Sequence, residues 1–186
     1  MAEPHVEVRR VQPDDAPALA ALLVRSREAL APWEPLHDAT YFTERGQRST
    51  IVAALERQAR GEQHPFLVMV DGMPAGRMNL SDVVHGAFEN AHLGYWVGVD
   101  HQGRGVATAA VRAVLAVAFG ELGLHRVQAG TLVHNHASRR VLAKNGFTEI
   151  GLAPRYLRIA GRWQDHLLHQ RLADDLPPGS VLDSPP

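Results

Sequence analysis

The chain has no cysteine in its 186 residues. That absence excludes disulfides, thiolate zinc sites, iron–sulfur clusters and any cysteine nucleophile. Net charge is nearly absent as well, with 19 Lys and Arg against 20 Asp and Glu. No global field therefore draws in nucleic acid or an anionic membrane. Lysine is reduced to Lys144, and the remaining Lys/Arg positions are all Arg. The longest apolar run, 106–120, is broken by Thr108 and Arg112 and is too short to cross a bilayer. Residues 1–13 carry Glu3, Glu7, Arg9 and Arg10 and lack the apolar core of an export signal. These absences predict a cytoplasmic protein that binds neither nucleic acid nor membrane.

What is present fits a globular fold. The hydrophobic share is 45%, and a chain of this length buries roughly 70% of its unfolded surface. Residues 1–173 read as a single domain. Residues 174–186, rich in Pro, Ser and Asp, read as a flexible C-terminal tail.

Alternation over His5–Val11 predicts a first strand, and Pro13 with Asp14 and Asp15 fits a helix start. Leu19, Leu22 and Leu23 form the inward stripe of that helix, and 31–35 (APWEP) breaks it. Thr43 to Arg60 predicts a second helix with Ile51, Val52 and Leu55 on one side. Phe66–Val70, the Asp71-Gly72 turn and Pro74–Leu80 read as a hairpin, followed by an aromatic strand, Ala91–Val99. Gly103 and Gly105 lead into a long helix that runs to about Leu122 and stops at Gly123. A strand follows over His125–Val133, with Val127, Ala129, Thr131 and Val133 on one side. Then come a short helix, Asn135 to Lys144, and closing strands at Phe147–Leu152, Tyr156–Ile159 and Trp163–Leu172. The order β-α-α-β-β-β-α-β-α-β-β predicts an α/β (α+β) fold, a mostly antiparallel mixed sheet flanked by helices.

The stretch Asp100-His101-Gln102-Gly103-Arg104-Gly105-Val106-Ala107-Thr108 sits between a strand and a helix start. Two glycines let the backbone turn tightly and approach a ligand, and the helix start offers unpaired N–H groups to an anion. Arg104 stands at the rim of such a site. A dinucleotide fingerprint fails because Thr108 stands where the third glycine belongs, and no Gly-Lys pair exists for a Walker loop. The pattern Gln102-x-x-Gly105-x-Ala107 resembles the acyl-coenzyme A pyrophosphate loop of the GNAT N-acetyltransferases. Further stretches carry the same resemblance. Residues 135–147 (NHASRRVLAKNGF) resemble the helix motif after the family's fifth strand. Arg155-Tyr156-Leu157 and 161–166 (GRWQDH) resemble the ending of the RimJ/RimL branch, and Ala31–Pro35 with Tyr41 resembles its early loop. The likeness runs over roughly residues 5 to 172.

The resemblance implies direct acetyl transfer from acetyl-CoA to an amine, without a metal, and most readily to a protein N-terminal α-amine such as that of a ribosomal protein. It implies cofactor contacts from Trp96, Val97, Val99, Gln102, Gly103, Arg104, Gly105, Val106, Ala107, Thr108, Asn135 and Arg140. A backbone N–H at Trp96 or Val97 would stabilise the thioester oxygen. His92 occupies the slot where many relatives carry Glu, and with Glu89 it is a base candidate. Ser138 and Tyr156 are candidates for protonating the leaving thiolate. Trp33, Tyr41 and Trp163 would wall the acceptor cleft. Plainer readings stand beside these: Asn135 as a helix N-cap, Ser138 as a helix-start hydroxyl, Tyr156 and the tryptophans as core, and His92 as an ordinary strand residue. Neither His134 with His136 nor His166 with His169 has an obvious third ligand, so no metal is expected. A small-molecule amine acetyltransferase, a non-catalytic acyl-CoA-binding module and a simple anion-binding domain are the alternatives. Monomer and homodimer are both open.

Overall fold

The structure is a computed structural model that describes residues 4–175. In chain order it contains β1 (Val6–Arg10), α1 (Ala16–Leu30), α2 (Glu44–Ala59), β2 (Gln63–Val70), β3 (Met73–Val84), β4 (Asn90–Val97), α3 (Val106–Ala116), β5 (Arg126–Leu132), α4 (His136–Lys144), β6 (Thr148–Ile159) and β7 (Arg162–Leu172). The seven strands form one sheet in the order β1-β2-β3-β4-β5-β7-β6, and only β4 and β5 pair in parallel. The expected order and the mixed, mostly antiparallel sheet are what the chain adopts.

Local chemistry sets the helix starts. The Asp15 carboxylate accepts the Gln12 N–H at 2.7 Å and pairs with Arg9 at 2.6 Å, which fixes the turn before α1. Thr43 Oγ accepts the Gly46 N–H at the start of α2, and Asn135 Oδ1 accepts the Ser138 N–H at the start of α4. In α3 the buried stripe is Val106, Ala110, Val111, Val114 and Leu115, one face at helical spacing. Full burial of the valine and leucine side chains of this stripe is worth about 1.5–3 kcal/mol each.

The sheet has a core on each face. Towards α3 and α4 lie Val68, Met78, Leu80, Leu93, Val127 and Leu142. Towards α1 and α2 lie Val11, Leu19, Ile51 and Leu67, with Trp96 packed against them. Several expectations need correction. Val52 is exposed, and Ala54 takes the buried place in α2. Val133 lies just beyond β5 and is exposed. The helix after Gly105 closes in a wide π turn, Val117–Glu121, before Gly123. Residues 148–159 form one strand, not two, with its register against β7 shifting between Ala153 and Leu157. Ala173–Asp175, at the start of the expected tail, forms a 3-10 turn with Asp175 close to Arg171. The rest of that tail lies outside the described residues.

Candidate active site

The parallel pairing of β4 and β5 covers only Asn90↔Arg126, Ala91↔Val127 and His92↔Gln128. Beyond it the strands diverge, and residues 93–97 and 129–132 line a cleft of ≈ 790 Å³. Because side chains alternate along a strand, the two faces of this split differ. Leu93, Tyr95 and Val97 point to the α3–α4 side. Trp96 points to the α1–α2 side, and Arg77, its neighbour across β3, shares that face.

On the α3–α4 side the cleft ends at the glycine loop. Gly105 is the N-cap of α3 in the left-handed region (φ 82°), and Gly103 also has positive φ. No side chain caps α3, and its first turn, Gly105 to Thr108, lines the cleft, which leaves N–H groups there without a side-chain partner, as an anion site requires. The Gln102 side chain donates to Val97 O at 2.9 Å and ties the loop to β4. Asn145 donates to Thr108 O and Val141 O, which locks α4 to α3. The Tyr95 hydroxyl and Ser138 Oγ are 2.8 Å apart, joining β4 to α4. Burial pushes the Tyr95 phenol up to about 12, so it stays protonated across the working range. Arg140 and Lys144 line the same side and supply cationic charge.

Backbone direction in β4 separates the oxyanion candidates. The Gly98 N–H donates to Ala75 O in β3. N–H groups two residues apart point the same way, so the Trp96 N–H faces β3 and the Val97 N–H faces the split. Val97 O, bonded to Gln102, already lies on that side. Gly76 keeps β3 close here, since a Cβ would overlap the Trp96 carbonyl oxygen.

On the α1–α2 side the wall is Trp33, Glu34 and Pro35, with Leu157, Ile159 and His166 opposite. The Trp33 ring lies 5.4 Å from that of His134, and the Ala160 N–H donates to Glu34 O at 2.9 Å. Burial pushes the Glu34 carboxyl up to about 7 against the opposing pull of Arg77. His37 Nε2 lies 3.7 Å from Glu34. Burial pulls that imidazole below its ordinary range, so it brings no cation at neutral pH. Tyr41 stacks on His37 with ring centroids 3.7 Å apart, and burial and the nearby Glu34 push its phenol up. His166 Nδ1 donates to Gln164 O at 3.0 Å, leaving Nε2 as the basic nitrogen.

Residues 5–148 match the acetyltransferase (GNAT) domain family. The chain belongs to this family. It is thereby an acetyl-CoA-dependent N-acetyltransferase. It is 34% identical over 174 residues to the [ribosomal protein uS5]-alanine N-acetyltransferase of Escherichia coli, covering 92% of this chain and 90% of that protein. Among solved structures it resembles Mycobacterium smegmatis RimJ in complex with CoA-disulfide. That match has a TM-score of 0.91 and 36% identity, over 95% of this chain and 86% of that one. The ribosomal-protein-S5-alanine acetyltransferase of Vibrio fischeri gives a TM-score of 0.86 at 32% identity, covering 94% and 96%.

This acetyltransferase brings together in its cleft Trp33, Trp96, Val97, Gln102, Gly103, Gly105, Val106, Ala107, Thr108, Asn135, Ser138 and Arg140. Other sequence candidates lie elsewhere. His92 sits where β4 and β5 are still paired, before the split, with Nδ1 3.9 Å from Asp82. Glu89 anchors the turn into β4. Its carboxylate accepts the Gly86 N–H at 2.7 Å, and its hydrogen bonds to His85 and Gly86 hold it below the usual carboxylate range. Val99 donates its N–H to Ser26 and does not line the cleft. Arg104 and Trp163 are exposed outside it. Tyr41 lies behind Glu34, and the Tyr156 ring is 5.6 Å from that of His166, beside the wall rather than in it. The sequence reading missed Tyr95, Glu34, His166 and Lys144 as cleft residues. Glu34 lay in plain view within the quoted 31–35 loop. No local pattern announces which of its side chains turns inward.

Proposed function

We propose that this protein transfers the acetyl group of acetyl-CoA to the N-terminal α-amine of a protein. The observation that carries this reading is the split between β4 and β5, with an anion-binding helix start on one side and an ionisable, aromatic wall on the other. The names of the E. coli and V. fischeri relatives support a protein acceptor.

In this reading the N–H groups from Gly103 to Thr108 take the pyrophosphate, and Arg140 and Lys144 lie nearby for further phosphate charge. Asn135 caps α4 and also lines the cofactor arm's path. The thioester oxygen rests on the Val97 N–H, a kind of donor worth about 3–4 kcal/mol. Ser138 protonates the departing thiolate, and the Tyr95 hydroxyl refills or assists it. An α-amine of pKa about 7.8 is partly neutral at pH 7, whereas a lysine near 10.4 costs roughly 3.5 kcal/mol more to deprotonate. The acceptor chemistry therefore favours chain termini over lysines.

The test is coenzyme A release with free N-terminal peptides, the same peptides blocked at the α-amine, lysine peptides and small amines. Turnover on free N-termini alone is expected. Turnover confined to small amines would overturn the acceptor assignment. Stabilisation of the protein by acetyl-CoA checks the cofactor side independently, because a ligand that binds only the native state must raise its melting temperature.

A further inference from the structure

Once His92 and Glu89 are placed outside the cleft, the acceptor side needs another group to receive the proton of the incoming ammonium. Glu34 lines the cleft directly. Its backbone is held from two directions, by the Ala160 N–H on its carbonyl and by Trp33 against His134. Its carboxylate shares the α1–α2 face with Arg77 on β3 and with His37 and Tyr41 on the segment before α2. His166 on β7 is the other titratable group of this wall. Among the described residues no cation lies within 4.0 Å of the Glu34 carboxylate except His37, if protonated. The carboxylate is thus not consumed by an internal salt bridge.

We propose that Glu34 is the general base of this enzyme, taking the proton from the acceptor's ammonium. This rests on the acetyl-transfer reading above. Glu34 accepts one proton, leaving a neutral amine. The nitrogen lone pair attacks the thioester carbon, the C–N bond forms and the C–S bond breaks. The nitrogen then loses a second proton to solvent as it becomes an amide, and Ser138 delivers one to the thiolate and regains one from solvent through the adjacent Tyr95 hydroxyl. Glu34 finally returns its proton to solvent, so the balance is ammonium plus thioester to amide, thiol and one proton. The environment suits the task. A carboxyl that titrates near neutrality can both accept and release a proton under working conditions.

The experiment compares wild type with Glu34→Gln on an N-terminal peptide, reading kcat, KM and the pH profile, and with acetyl-CoA stabilisation measured in parallel. The expected result is a fall in kcat of about 100-fold with KM little changed, acetyl-CoA stabilisation intact, and the acid limb of wild type near pH 7 replaced by one that follows the acceptor amine's own pKa. A second arm uses an acceptor amine of low pKa, already neutral in the assay. It should recover much of the lost rate in Glu34→Gln, because the first proton is no longer there to remove. Full kcat in Glu34→Gln, a change confined to KM, or no rescue by the low-pKa amine would overturn the assignment while leaving the acetyltransferase reading standing. Failure of wild type to acetylate any amine, with acetyl-CoA still bound, would instead overturn the acceptor reading and the base with it.

Discussion

On the α3–α4 face of the cleft nearly everything is local. Gly103, Gly105 and the free N–H groups of α3 lie within a few residues of one another, and Asn135 caps the helix that carries Ser138. On the α1–α2 face only the run Trp33-Glu34-Pro35 is local. Glu34, Arg77 and His166 come from the first third, the middle and the end of the chain. In the proposed reading the first face works through backbone geometry and the helix dipole, and its chemistry needs few ionisable side chains. The second works through desolvation of charged groups, which exists only once the whole wall has assembled. Cofactor binding is therefore expected to tolerate changes on the acceptor wall, and acceptor chemistry to be sensitive to them.

The largest effect is expected at the glycine loop. A Cβ on Gly105 meets open space, so Gly105→Glu acts through backbone strain at φ 82° and a negative charge in the anion site. Like-charge juxtaposition costs several kcal/mol, which at about 1.4 kcal/mol per decade predicts a turnover loss of roughly 1,000-fold. Coenzyme A release and loss of acetyl-CoA stabilisation check it. Retained stabilisation would break the contrast between the faces.

Next comes the Tyr95–Ser138 pair. Ser138→Ala should lower kcat by about 10-fold, because the Tyr95 hydroxyl remains at hand, and the Ser138→Ala/Tyr95→Phe double variant by about 100-fold. A double variant no worse than the single one would remove Tyr95 from the reaction.

A third prediction concerns stability. The folded Glu34 carboxyl keeps its proton up to about 7, against 4.5 for its ordinary value. Between those values the folded state binds more protons than the unfolded one, so stability falls as pH rises across this window. The full effect is about 3 kcal/mol. Glu34→Gln should abolish that fall and be the more stable protein at pH 8 in denaturant melts. Parallel curves for the two proteins would show that Glu34 is not desolvated.

The smallest effect is expected at His92. His92→Ala should leave kcat within about twofold, since loss of a true general base costs about 100-fold or more. A drop of that size would return the base to β4 and dissolve the division of labour drawn here.

The strand and helix order was legible because buried side chains repeat at two and at 3.6 residues, and because Pro13, Thr43 and Asn135 mark helix starts. The glycine turn into α3 was legible for the same reason: positive φ and a helix start are properties of consecutive residues. His92 could not be placed from sequence. Whether it faces the cleft depends on where β4 and β5 part, which is set by pairing across the crossover through α3. Trp96 and Val97 could not be told apart, because the direction of an N–H follows from which neighbour binds the strand.

The sequence by itself determined the chain order of strands and helices and the left-handed glycine turn into α3, since side-chain periodicity and local backbone preference suffice for these, while the order of the strands within the sheet, with β7 between β5 and β6, came from long-range pairing. Only the tertiary structure decided that Glu34 stands in the cleft with a carboxyl that titrates near 7. Removal from water is a property of the assembled wall, and Arg77 and His166, which share that wall with Glu34, are far from it in the chain.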